Sequence, residues 1–273
     1  MFKAKQNLYI ISLLTFCCTN IMAKPTPQGW QLALGTGLLV NPSFKGSDEY
    51  QLSLLPYVRI NYSDIFFASM NEGIGFNLLN TPNWTAGPIA RYNFGRKEKN
   101  GTSPFRIAGS KTSALAGLGD VDGTFEAGAF ANYRFEPFDI EIEVRKGMGG
   151  HEGFVGDFSL SYSTMLFPMG YRTILSLGPR ASIVSDDYNQ AYYSIDMIQS
   201  ARSGLTTYNA QGGLLSFGLG ASSIVILTKQ LSMILFAGYD RLSGDAGNSP
   251  LVENRGSKNQ FVLGSFLAYQ FGS

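Results

Sequence analysis

Asn259–Phe271 reads NQFVLGSFLAYQF, and its alternation is the strongest clue to the fold of this chain. Phe261, Leu263, Ser265, Leu267, Tyr269 and Phe271 share one parity, apolar but for a single serine. Gln260, Val262, Gly264, Phe266, Ala268 and Gln270 share the other and are mixed. A period of two means a β-strand with one greasier face. Such a strand suits the core of a soluble sandwich or the outer wall of a membrane barrel, and the rest of the chain has to separate the two.

Among 273 residues there are 32 glycines, 13% aromatic residues and only 15% charged residues, against about 25% charged in ordinary globular domains. That balance suits many strands, many turns and a surface that does not all meet water. Residues 1–23 read as a secretory leader. Lys3 and Lys5 form its positive start, residues 8–18 its apolar run, and Ala23 the small residue after which the cut is placed. The apolar run is shorter than the ~20 residues that span a bilayer, and Phe16 before Cys17 departs from a lipoprotein signal. Both cysteines, Cys17 and Cys18, lie in the leader. Residues 24–273, read as a single domain, therefore hold no disulfide, thiolate metal site or cysteine nucleophile. Loss of Lys3 and Lys5 takes the formal charge from +1 to −1, which leaves no basic surface for nucleic acid. No stretch of this domain has about 18 uninterrupted apolar residues. A membrane location then requires a closed barrel, which satisfies its own backbone without helices.

Alternation recurs along the chain in residues 29–39, 51–62, 84–94, 154–166, 171–184, 212–227 and 231–242, and less cleanly in 65–79. Pro56 cannot donate to a ladder and predicts a bulge in the second of these. The clearest hairpin spans 125–145. Phe125, Ala127, Ala129, Ala131, Tyr133 and Phe135 share a face, Glu136-Pro137 turns the chain, and Phe138, Ile140, Ile142 and Val144 continue the face. A two-residue turn pairs Phe135 with Phe138 and Arg134 with Asp139, so apolar meets apolar and charge meets opposite charge. Aromatics at both ends of 84–94 fit the girdles of a membrane barrel. No convincing amphipathic helix interrupts the pattern, and three long connections remain, 96–123, 185–211 and 243–258.

These stretches predict an all-β fold, an antiparallel up-and-down transmembrane barrel of about twelve strands, with ten as the fallback. Eleven strands are visible, and such barrels have an even number. The missing strand is expected within 96–123. The polar-face charges Arg59, Arg91, Glu126, Arg134, Asp139, Glu141, Glu143, Arg145, Arg172 and Arg180 then point into the lumen, as a paired network or as the lining of a small pore. In the last strand, Phe261, Leu263, Leu267, Tyr269 and Phe271 face lipid.

The connections carry a further, ordered set of motifs: Phe44-Lys45-Gly46-Ser47-Asp48-Glu49-Tyr50, Gly95-Arg96, and Gly117-Leu118-Gly119-Asp120-Val121-Asp122 before Glu126-Ala127-Gly128. Gly149-Gly150-His151-Glu152-Gly153, Gly178-Pro179, Ser203-Gly204-Leu205 with Tyr208, and Arg241-Leu242-Ser243-Gly244-Asp245-Ala246 leading to Ser249-Pro250-Leu251-Val252 follow, and Tyr269-x-Phe271 closes the set. In this order they resemble the MltA-interacting protein family, also called MipA/OmpV, of Gram-negative outer membranes. The resemblance implies a barrel exported to the outer membrane, without known catalysis. It also implies a scaffold or adaptor role that holds a murein hydrolase, a lytic transglycosylase, near a peptidoglycan synthase. Other members are discussed as adhesive or stress-related, and a small-solute channel is the alternative.

Two stretches invite other chemistry. Asp120-x-Asp122-Gly123 suggests calcium, but the further ligands and the distal Glu of an EF-hand loop are absent. His151 is the single histidine, and a lipid-modifying barrel enzyme would have to use it with Ser159, Ser161 or Ser163. No second His follows four residues on, no G-x-S-x-G occurs, and a glycine-flanked loop is the simpler reading. No catalytic residue, cofactor or metal is expected.

Overall fold

The computed structural model of the protein describes residues 29–70, 72–99, 105–109 and 112–271. The expected leader and its cut after Ala23 lie outside them. The first strands are β1 (Trp30–Pro42), β2 (Tyr50–Tyr62), β3 (Phe66–Ser69), β4 (Gly73–Phe76), β5 (Leu79–Asn80), β6 (Trp84–Asn93) and β7 (Arg106–Gly109). Then come β8 (Thr124–Phe135), β9 (Phe138–Gly149), β10 (Phe154–Leu166) and β11 (Thr173–Val184). Helices α1 (Asp186–Tyr193) and α2 (Met197–Ser203) precede β12 (Gly213–Ile226) and β13 (Leu231–Leu242). Helices α3 (Gly244–Asn248) and α4 (Pro250–Arg255) precede β14 (Asn259–Phe271).

Twelve of these strands close into one antiparallel ring, with β14 returning to β1 from Leu32↔Phe271 to Val40↔Leu263. Two short strands stand outside it: β5 pairs β6, and β7 pairs the upper part of β2. The β8–β9 turn pairs Phe135 with Phe138 and Arg134 with Asp139, as the alternation predicts. Short turns at 63–65, 77–83, 136–137, 167–172 and 227–230 gather at one end, and the long connections at the other. That asymmetry is typical of outer-membrane barrels.

Four expectations need correction. Residues 65–79 are not one strand but the β3–β4 hairpin and β5. Gly73 takes φ 84°, and the Ser69 hydroxyl accepts the Glu72 N–H at 3.0 Å, so the chain folds back on itself. This hairpin supplies the even strand count, and the strand found in 96–123, β7, lies outside the ring. Pro56 leaves the β1–β2 register unbroken and makes no bulge there. Helices do form in the long connections. Asp196 caps α2 in a reciprocal box with Gln199, and Gly204 ends it at φ 75°. Helices of five to eight residues are too short for a period of 3.6 to register in sequence. Caps and packing hold them instead.

The barrel is apolar outside and polar or packed inside. Leu263 is 59% exposed and Phe261 55%, whereas Phe266 on the opposite parity is 1% exposed. Tyr269, Phe271 and Leu267 also stand outward, and Gln260 is buried inward. An apolar exterior continuous around a whole ring is unstable in water and suits hydrocarbon. Two aromatic belts edge it. Trp30–Tyr62 and Trp84–Tyr133, with ring centroids 4.8 and 4.6 Å apart, lie at the short-turn end. Tyr92–Phe125 and Tyr239–Phe261, at 4.9 and 5.1 Å, lie at the long-loop end. No described helix is long and apolar enough to cross a membrane.

Replacing Leu267 by Arg puts a charge on the outer wall and is expected to cost roughly 2–4 kcal/mol if the position lies near the bilayer midplane. Unfolding in lipid vesicles and heat-shifted gel migration measure the loss. Wild-type stability would mean that this face does not meet hydrocarbon.

Candidate functional site

The lumen has two chemically distinct walls. Along β6, β8, β9 and β10 the inward parity carries charge. Arg145 is the hub: its Nε donates to Glu126 Oε2 at 2.8 Å, its Nη2 to Asp157 Oδ2 at 2.8 Å, and its Nη1 to Glu143. Arg91 Nη2 reaches the other Glu143 oxygen at 2.6 Å, and the Ser182 hydroxyl donates to Asp157 at 2.5 Å. Strand register makes this lattice, because it sets Arg91 beside Glu126 and Glu143 beside Asp157. Further pairs join Arg180 to Asp240 through two bonds, Arg59 to Glu72, and Arg134 to Asp139. Glu141 also takes the inward parity of β9, Arg172 lies in the turn before β11, and neither forms an ion pair among the described residues. Glu72, Asp157 and Asp240 are partners that alternation alone does not single out.

The opposite wall is apolar near the short-turn end. Tyr57, Ile174, Ile224, Ile234, Phe236, Phe266 and Ala268 pack into one cluster, with Phe236 stacked on Phe266 at 6.0 Å. Gly37 and Gly264 make room for these rings. A Cβ at either would lie 2.3 Å from Phe266 or 2.0 Å from Phe236.

The long connections seal the other end. Tyr188, Tyr192 and Tyr193 of α1 pack with Val121, Leu242, Ala246 and Val252, and a second cluster unites Phe44, Leu115, Leu118, Ile195, Leu205 and Leu251. Arg255 donates to the carbonyls of Ala114, Ala116 and Ser203, tying three segments together. Gln260 on β14 accepts the Gly46 N–H at 2.9 Å and donates to Ser47 O at 3.1 Å.

Between the cap and the ionic lattice lie two adjoining cavities of about 310 Å³ each. Both are lined by Lys45, Asn93 and Tyr188. Lys45 sits deep in the protein, yet its side chain is exposed to this internal space. Burial lowers the pKa of its ammonium, and Asp240 and Asp157 oppose that. Arg96 donates to Tyr192 O at 2.6 Å and lies over the Tyr192 ring, and burial lowers its pKa also. Burial drives the Tyr188 hydroxyl well above its ordinary value and pushes Tyr192 up to about 12. The Tyr192 hydroxyl donates to Asn93 Oδ1 and the Tyr193 hydroxyl to Lys45 O. Lys45 and Arg96 are functional candidates that strand periodicity misses, since both sit in loops. The only trace of them is in the motifs Phe44-Lys45-Gly46 and Gly95-Arg96.

His151 lies in the glycine-flanked loop between β9 and β10, with its side chain turned inward. Its side chain is fully buried, Nε2 lies 3.0 Å from Glu126 Oε1, and its ring meets Tyr188 edge-on at 4.9 Å. Its Nδ1 has no partner, and none of Ser159, Ser161 and Ser163 hydrogen-bonds to it. Asp120 and Asp122 share Lys97 at 3.4 and 2.9 Å, and Asp120 also accepts the Glu98 N–H. The Glu98 amide, and Lys97 after it, hold the Asp120 carboxyl below its usual range. No group of three or more metal-ligating side chains occurs among the described residues.

The family model described as MltA-interacting protein MipA matches residues 34–271. The outer membrane protein Omp26La of Vibrio anguillarum is 33% identical over 90 residues, a stretch that spans 33% of each chain. A NanC porin structure aligns at 9% identity over 87% of this chain and 98% of that one, with a TM-score of 0.43. A structure described as a bacterial polysaccharide outer membrane secretin aligns at 8% identity over 90% and 99%, with a TM-score of 0.42. At these scores neither structure carries an argument, and the fold rests on the strand pairing above.

Arg145→Met would strand Glu126, Glu143 and Asp157 without their shared cation. Breaking a buried ionic cluster in this way is expected to cost about 3–5 kcal/mol, read as a lower urea midpoint in detergent. A loss under about 1 kcal/mol, the worth of an exposed pair, would mean that water fills this part of the lumen.

Proposed function

The chain belongs to the MltA-interacting protein MipA family, and from that premise we propose that it is a non-enzymatic scaffold for peptidoglycan-remodelling enzymes. It is an outer-membrane β-barrel of the Gram-negative envelope. The adaptor reading assigns the short-turn end to the periplasm, where a lytic transglycosylase and a peptidoglycan synthase can reach it.

The observation that carries this reading is the filled lumen. A channel needs a continuous water path, but here packed inward side chains fill the lumen outside the two cavities. Glu143, Phe266 and Ser176 are each no more than 1% exposed, and the loop cap closes the far end. Function is then sought on the surface. The short turns offer unpartnered apolar tips, Met169 at 98% and Leu78 at 78% exposure. Such side chains in protruding turns are candidate anchors in an interface. The pairing of His151 with Glu126, rather than with a serine, supports a non-enzymatic reading.

Two measurements test it. Planar bilayers containing the folded protein are expected to show no conductance steps, and regular steps would favour the small-solute channel. Purified lytic transglycosylase and peptidoglycan synthase are expected to bind the barrel. Leu78→Ser with Met169→Ser should weaken binding roughly tenfold, the scale of about 1.4 kcal/mol. No binding of either enzyme at roughly 100 µM, weaker than transient contacts usually are, would overturn the adaptor role.

A further inference from the structure

One side of the ring is low. β3 and β4 have four residues each, whereas their neighbours β2 and β6 have 13 and 10. β3 pairs β2 only from Arg59 to Tyr62, and β4 meets β6 only at Ile74↔Ala90 and Gly75↔Ile89. β7 rejoins β2 only at Gln51 to Ser53, with Leu54 N–H reaching Phe105 O at 3.1 Å. Between these contacts residues 55–58 pair no described strand on that side.

Backbone parity shows that the sequence accommodates this gap. Leu54 points its N–H toward the gap, whereas Leu55 O accepts the Thr36 hydroxyl on the β1 side. Residue 56 therefore faces the gap like residue 54, and residue 56 is Pro56, which has no N–H to leave unsatisfied.

One of the two cavities reaches the tip of this low hairpin, at Met70 and Gly73 beside Tyr92 of β6. Its lining combines inward residues, Arg91, Glu126, Arg145 and Asp157, with Met70 and Tyr92. Met70, in the β3–β4 turn, is 47% exposed, and Tyr92, packed on outward Phe125, is 50% exposed. A cavity bordered by both faces of a barrel wall passes through that wall. Its outer rim is apolar. At its inner end stands Lys45, whose ammonium has no ion-pair partner among the described residues, while Arg91, Arg145 and Arg180 are each bound to carboxylates.

We propose that this passage is a lateral binding site for a single-chain anionic amphiphile drawn from the membrane. The anionic head sits on Lys45 in the lumen, and the alkyl chain leaves over the tip of the short β3–β4 hairpin beside β6, past Met70 and Tyr92, into the bilayer. A volume of about 310 Å³ falls at the lower end of the ligand pockets of about 300–1,000 Å³ found in proteins, enough for the head and the first methylenes. Membrane lipid and soluble anion share the head chemistry, and the probes below distinguish them.

The probes are dodecyl phosphate, dodecanol and inorganic phosphate, added to the folded protein in a non-ionic detergent and followed by native mass spectrometry. Dodecyl phosphate is expected to bind one to one. Lys45→Met should weaken it roughly tenfold or more, equal to about 1.4 kcal/mol, and Lys45→Arg should restore it. Inorganic phosphate should bind roughly 100-fold more weakly than dodecyl phosphate, because buried methylenes each add favourable free energy. Equal binding of inorganic phosphate would identify an anion site reached from water and overturn the lateral route. Equal binding of dodecanol, or indifference to Lys45→Met, would overturn the role of Lys45. The route is read separately with Lys45 intact. In Met70→Trp, dodecyl phosphate carrying a terminal bromine should quench the new tryptophan beyond any quenching of Trp30 and Trp84, which lie at the short-turn end. No added quenching would place the chain elsewhere and reject the site.

Discussion

Every backbone donor and acceptor in the hydrocarbon layer must find a partner within the protein, and the β1–β14 seam is where this chain meets that demand. An open twelve-stranded sheet would leave two edges of unpaired N–H and C=O groups, each costing several kcal/mol in lipid. Pairing Leu32 through Val40 with Phe271 through Leu263 removes both edges at once. Closure then fixes which parity of each strand faces inward. From that follow the apolar exterior, the ionic lattice on one wall and the stacked phenylalanines on the other.

The interior shows how a barrel of this size is filled. Most charges on β6, β8, β9 and β10 are tolerated because an opposite charge meets them inside the lumen, with Glu141 the exception among the described residues. Arg145 alone serves three carboxylates. Where the ring brings β1, β2 and β11 to β14 together, the same inward parity carries Ile, Phe and Ala, and glycines at 37 and 264 admit the rings. The long connections complete the seal, since α1 to α4 bury tyrosines and leucines against one another over the open end.

Much of this was legible in the sequence. Alternation in β14 and the register of the β8–β9 hairpin both follow from a period of two, which any strand obeys whatever it packs against. The resemblance of the loop motifs agreed with the family match over residues 34–271. Misreadings fell where local pattern is overridden. Residues 65–79 look like one imperfect strand, but a turn at Glu72 and Gly73 folds them into two, and the low wall there has no signature except Pro56. The short helices hid because five to eight residues carry too little periodicity.

The sequence by itself determined an all-β chain with one greasier face per strand, because those faces are set by residues two apart. Only the tertiary structure decided which charges meet, that the ring closes at twelve with one low side, and that Lys45 and Arg96 share a space with three tyrosines. Those facts depend on residues from loops and strands far apart in the chain, such as Arg96 and Tyr192 or Leu32 and Phe271. Spacing along the chain carries no information about them until the barrel closes.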